Sequence, residues 1–161
     1  MQSKTLISAV ITAKSMECVR YLVEIGCPMN FDLLSYAACS GNLVCLQYLC
    51  EKECPWDDVV AYGAALYGQL ACLIYSHNQG FPFHRLVSSG AAERGHLACL
   101  RYLHMMGCPV DFLTYLAAIQ GGSLECVVYV AKNSLYPDSM IIKLSWCVCV
   151  LGLCGIIFIL L

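Results

Sequence analysis

The chain has 161 residues, 60% of them apolar and 12% charged, with a net charge of −2. This composition suits one domain with a buried core and excludes an intrinsically disordered segment. The Lys and Arg residues are scattered from Lys4 to Lys143 with no basic stripe, so nucleic acid is set aside as a partner.

The apolar run from Thr5 to Ala13, with Lys4 before it, has the form of a short secretory signal core. The alternative is a helix belonging to the folded domain. The choice bears on the 13 cysteines. A secreted chain would tie them into disulfides, whereas a reducing compartment would leave them as thiols. An internal period decides for the helix. Cys18, Cys45, Cys72, Cys99 and Cys126 are each 27 residues apart, and so are Tyr21, Tyr48, Tyr75, Tyr102 and Tyr129. Pro28, Pro55, Pro82 and Pro109 share the spacing, as do Gly41, Gly68, Gly95 and Gly122 with the Leu two places after each. In that register Thr5–Ala13 falls where the first helix of a repeat belongs.

Each unit predicts two helices. Ala37-Ala38-Cys39-Ser40-Gly41-Asn42-Leu43 closes a first helix, and Ala91-Ala92-Glu93-Arg94-Gly95-His96-Leu97 closes its counterpart two units on. The alanines permit close helix contact, and the glycine suits the left-handed position just past a helix end. A second helix follows through Leu43, Cys45, Leu46, Tyr48 and Leu49, whose spacings of three and four place them on one face. It stops at Gly26-Cys27-Pro28, Glu53-Cys54-Pro55, Gly80-Phe81-Pro82 and Gly107-Cys108-Pro109, because proline disfavours helix at the residue before it. Asn30, Asp57, His84 and Asp111 then stand two residues past the prolines. That is where the next first helix should be capped. One such hairpin cannot bury its apolar face alone, but stacked neighbours can. About five copies are expected, the first partial, ending near Asp138.

No catalytic, cofactor-binding or metal site is expected. Cys50 and Cys54 have the spacing of a zinc-binding pair but lack a second pair, and the repeated cysteines lie on successive helices where four could not converge. They read as small buried side chains. His77, His84, His96 and His104 form no H-E-x-x-H, and no phosphate-cradling glycine loop occurs. The tyrosine column falls on the apolar stripe of the second helix and reads as core or rim packing.

The stretch Ala91–Leu97, followed by Leu100, Leu103 and Gly107, resembles the second half of an ankyrin repeat, and the likeness extends over roughly residues 5–138. An ankyrin unit is about 33 residues long and opens on a projecting β-turn finger. Here Cys54-Pro55-Trp56-Asp57 stands in its place. The chain is similar to compact ankyrin-like repeats with G-C-P-W turns, which implies a non-enzymatic interaction module without finger tips. The resemblance moves partner binding to exposed, concave first-helix positions. Reading those positions from what varies between copies gives Phe31, Asp58, Arg85 and Phe112 in one column. Ser35, Tyr62 and Leu116 come from a second, and Tyr67 and Arg94 from a third.

The register breaks after Asp138. From Leu144 to Leu161 there are 18 residues without a charge. As a helix they would span about 27 Å, enough for a thin bilayer. Asp138 could cap its start, Lys143 could snorkel, and Trp146 suits a membrane interface. The expectation is an all-α solenoid of stacked helix-turn-helix repeats over 1–138, with an apolar, membrane-spanning C-terminal helix over 139–161. It would be an adaptor for another protein, without cofactor or metal, tail-anchored with its repeats in the cytosol. Three alternatives stand beside it. The tail could cap the open end of the stack in a cytoplasmic protein. The chain could be a fragment of a larger soluble repeat protein. It could also be a small membrane protein whose repeats serve assembly or regulation.

Overall fold

The computed structural model describes residues 15–26, 29 and 31–133. The helix expected over 5–13, the cap at Asn30 and the apolar tail 139–161 lie outside the described residues. Among the described residues there are nine α-helices and no strand. They are α1 (Met16–Glu24), α2 (Phe31–Ser40), α3 (Leu43–Glu51), α4 (Val59–Leu66), α5 (Leu70–Asn78), α6 (Arg85–Glu93), α7 (Leu97–Met105), α8 (Phe112–Gln120) and α9 (Leu124–Asn133). Among these residues no helix is long and apolar enough to cross a membrane.

Helices of this length are marginal in isolation and depend on packing. They pair as hairpins, α2 with α3, α4 with α5, α6 with α7 and α8 with α9. The first helices α2, α4, α6 and α8 pack each on the next in one row, and α1, α3, α5, α7 and α9 do the same in a second row. The first row is close because its contacts are small. Ala37, Ala38, Ala64, Ala65, Ala91, Ala92 and Ala118 are all fully buried. The second row is filled by Cys45, Leu46 and Leu49 on α3 and by their counterparts Cys99, Leu100 and Leu103 on α7. The cysteine column is therefore core from Cys45 to Cys126, whereas Cys18 is exposed. Cys18 lies on α1, which has a described neighbour in its row on one side only.

Both helices of a hairpin end the same way. The amide of Asn42 donates to the Ala37 carbonyl at 3.0 Å, that of Gln69 to Ala64 at 2.8 Å and that of His96 to Ala91 at 2.8 Å. Second helices close likewise, with Cys54 donating to Leu49 and Cys108 to Leu103. Each closure is a Schellman motif around a residue with positive φ. Among the described residues that residue is glycine except at Glu53, which takes φ 53° where Gly26, Gly80 and Gly107 take 77–83°.

The glycines between the two helices of a hairpin carry a second constraint. A Cβ on Gly41 would strike the Gln69 side chain, one on Gly68 the His96 ring, and one on Gly95 Ser123. The residue that opens each second helix thus sits over the glycine of the preceding hairpin. His96 packs here through its ring and makes no side-chain capping bond.

Capping is unequal among the first helices. Asp111 Oδ1 accepts from the amides of Leu113 and Thr114 at 3.0 and 3.4 Å. Asp57 Oδ1 accepts from Val59 at 3.1 Å, although α4 begins one residue later than the proline spacing predicts, with Asp58 in the N-cap place. His84 occupies the N-cap of α6 without a side-chain bond.

Candidate functional site

The outward face of the first-helix row is the place where the expected partner-binding residues lie. Asp58, Tyr67, Arg85 and Arg94 are exposed. Ser35, Tyr62, Phe112 and Leu116 are half-buried, the last three packed against the core. Phe31 opens α2, and its side chain lies outside the described residues. Tyr62 lies between helices, since a Cβ added to Gly90 on α6 would meet its ring. Cys39 meets Gly63 in the same way one repeat earlier. In both places a side chain on one helix is accommodated by a glycine on the next, so the placement of Tyr62 is set by packing.

A column beside it is more open than its composition suggests. Val59 is 47% exposed, Leu86 54% and Leu113 43%, each at the second position of the segment that starts a first helix. Sequence reasoning passed over this column, whose fourth member is Asp32. The three aliphatics directly follow Asp58, Arg85 and Phe112 in the first turn of each helix, while the next residue (Val60, Val87, Thr114) turns inward and is buried. The Asp58 carboxylate stands 3.7 Å from His84 Nε2, and Arg85 follows on α6. The face therefore carries acid on α4, base on α6, and an aliphatic row through both.

The outer side of the second-helix row has its own regularity. His104 Nδ1 and the Tyr129 hydroxyl share a hydrogen bond of 2.9 Å. Two repeats earlier Cys50 and Tyr75 are paired in the same way, and one repeat earlier His77 meets Tyr102 edge-on at 6.1 Å. Arg101 lies 5.6 Å from the centre of the Tyr129 ring and Arg20 5.8 Å from that of Tyr48. The tyrosine column thus joins neighbouring hairpins, each half-buried ring contacting the hairpin before it. Tyr21 departs from this and is 63% exposed.

An open groove of about 490 Å³ lies between the turns after α3 and α5, where Trp56 stacks on Phe81 at 4.6 Å. Cys50 and Cys54 line it. Burial pushes Cys54 up to about 11, and it raises Cys50 as well. Thiols held protonated in this way are poor nucleophiles and poor metal ligands. Elsewhere in the core, burial raises Cys45 to about 12 and Cys99 to about 11. Among the described residues no three of His, Cys, Asp and Glu gather as a metal set.

No family model and no curated protein matches the chain.

Proposed function

We propose that the chain is a compact ankyrin-type solenoid and acts as a non-enzymatic adaptor, binding another protein through the outward face of its first helices. The observation that carries this reading is the exposed aliphatic column Val59, Leu86 and Leu113, with exposed Arg85 next to Leu86 and exposed Tyr67 and Arg94 at the far ends of α4 and α6. Soluble chains rarely leave contiguous apolar surface uncovered without a use for it, and arginine and tyrosine are the residue types that interfaces favour. The protonated thiols of the core support a packing role for the cysteines over a catalytic one.

The uncharged stretch Leu144–Leu161 supports the further proposal that residues 139–161 hold the adaptor at a membrane, with the repeats in the cytosol. This part rests on sequence alone. Alkaline carbonate extraction compares the full chain with one ending at Asp138. Retention of the full chain alone in the membrane pellet is the expected result, and release of both forms sinks the anchor.

For the face, the full chain and an R85A/R94A/F112A variant serve as baits under the same conditions. Circular dichroism checks that the variant stays helical. Recovery of the bound protein should fall at least about tenfold, on the scale of one to two interface residues lost. Unchanged recovery would remove the first-helix face from consideration.

A further inference from the structure

The groove between the turns after α3 and α5 is where the repeat departs most from itself. Glu53 lines it, in a column otherwise made of Gly26, Gly80 and Gly107. Phe81 lines it, in a column otherwise made of Cys27, Cys54 and Cys108. Trp56 completes the wall, in a column with Met29, Phe83 and Val110. Positions that serve only the stack have no reason to change together around one cavity. The stacking of Trp56 on Phe81 accounts for the two rings but not for the acid. Glu53 holds a left-handed backbone, φ 53°, which costs any residue with a side chain.

The chemistry of the lining selects a cation. Phe81 stacks on Trp56 at 4.6 Å, yet Trp56 is still 47% exposed, so aromatic surface is left open. Indole attracts cations more strongly than the other aromatic rings do. Among the described lining residues Glu53 alone is charged, since burial keeps the Cys50 and Cys54 thiols neutral. The adjacent base does not cancel it. Lys52 lies 5.7 Å from the centre of the Tyr48 ring, and neither of these lines the groove. Among the described residues no base pairs with Glu53. An apolar occupant would take water from the Glu53 carboxylate and return nothing, and an anion would be repelled. A guanidinium suits both features, because its flat face stacks on a ring while its edge bonds a carboxylate.

We infer that this groove takes an arginine side chain of the partner protein, stacked on Trp56 and paired with Glu53. The inference takes its kind of partner from the adaptor reading and adds a second contact to it. No described lining residue belongs to a first helix, so the groove is tested apart from that face.

The full chain, labelled with fluorotryptophan and held in mild detergent, is titrated with a capped tripeptide carrying arginine at its centre. Fluorine NMR reads Trp56, which the Trp56→Phe variant tells from Trp146. The Trp56 signal should shift saturably, with a dissociation constant on the order of a millimolar for a single side chain. The citrulline tripeptide, similar in shape but uncharged, should leave the signal in place. The lysine tripeptide should bind at least about threefold more weakly. Glu53→Gly installs the residue of the other turns and should weaken arginine binding at least about threefold. That substitution relieves the backbone, so lost binding with an undiminished thermal midpoint is not unfolding. Glu53→Gln keeps the side chain and should weaken binding in the same way.

No saturable shift, an equal response to arginine and citrulline, or undiminished binding by Glu53→Gly overturns the groove as a cation site. Equal or tighter binding of the lysine tripeptide overturns the choice of arginine. The R85A/R94A/F112A comparison is untouched by any of these results, since it tests the first-helix face alone.

Discussion

At residue scale, Glu53 stands out among the turn residues. It alone of its column has a side chain, yet it adopts the left-handed conformation that glycine holds at Gly26, Gly80 and Gly107. Left-handed backbone costs an L-residue roughly 1–2 kcal/mol, part of which glycine returns through the greater freedom of its unfolded chain. A Cβ placed at Gly26, Gly80 or Gly107 meets nothing within 4 Å, so the cost at this column is conformational and not steric. Glu53→Gly should therefore stabilise the chain by about 1 kcal/mol, read as a higher urea midpoint with an unchanged slope. An unchanged or lower midpoint would mean that the Glu53 side chain contributes something its exposed position does not suggest.

At the scale of the helix, the decisive contacts are between neighbours in the first row, and Gly121 shows how tight they are. It has ordinary backbone dihedrals, but a Cβ there would run into the Glu93 carbonyl at the end of α6. Backbone cannot swing aside as a side chain can. Gly121→Ala should cost about 2–3 kcal/mol, seen as a lower thermal midpoint, from forced separation of α6 and α8. The helices themselves, their order and their glycine stops were legible in the sequence, because the 27-residue register repeats both the small residues and the turn residues. What the register could not convey was which side of a helix each column faces. Val59, Leu86 and Leu113 are aliphatic like core residues but stand outside, in the first turn of each first helix, where the residue after each is the one that turns inward. Tyr62 and Leu116 vary like surface residues but are half-buried, Tyr62 because Gly90 on the next helix leaves room for its ring and Leu116 because it packs against the core. The requirement for glycine at 121 was invisible for the same reason. Its equivalents are Ser40, Tyr67 and Arg94, and only the distance between two helices distinguishes it.

At the scale of the molecule, buried thiols recur along the second row from α3 to α9, so they respond together to alkali. Burial raises Cys45 to about 12 and Cys54 and Cys99 to about 11, from an ordinary value of 9, and raises Cys126 as well. The native state keeps these protons while the unfolded state releases them. The contribution is therefore intact below pH 9 and is lost progressively as the pH climbs from 9 through the folded values. Thermal midpoints measured under reducing conditions should hold from pH 7 to 8.5 and then fall steeply toward pH 11. Replacing Cys45 and Cys99 together with Ala should flatten that fall. A midpoint independent of pH up to 11 would mean that the unfolded chain also keeps its thiols protonated.

The seating of Gln69 over Gly41, His96 over Gly68 and Ser123 over Gly95 has a consequence for how such a chain can lengthen or shorten over generations. Each hairpin presents the same lock to the hairpin after it and the same key to the hairpin before. A duplication or deletion of DNA that spans 27 codons, wherever its breakpoints fall, rejoins a key to a lock. One whose length is not a multiple of 27 codons leaves the key side chain facing a residue whose Cβ occupies its place. Descendants of this gene should therefore differ in the number of copies far more readily than in the length of any one.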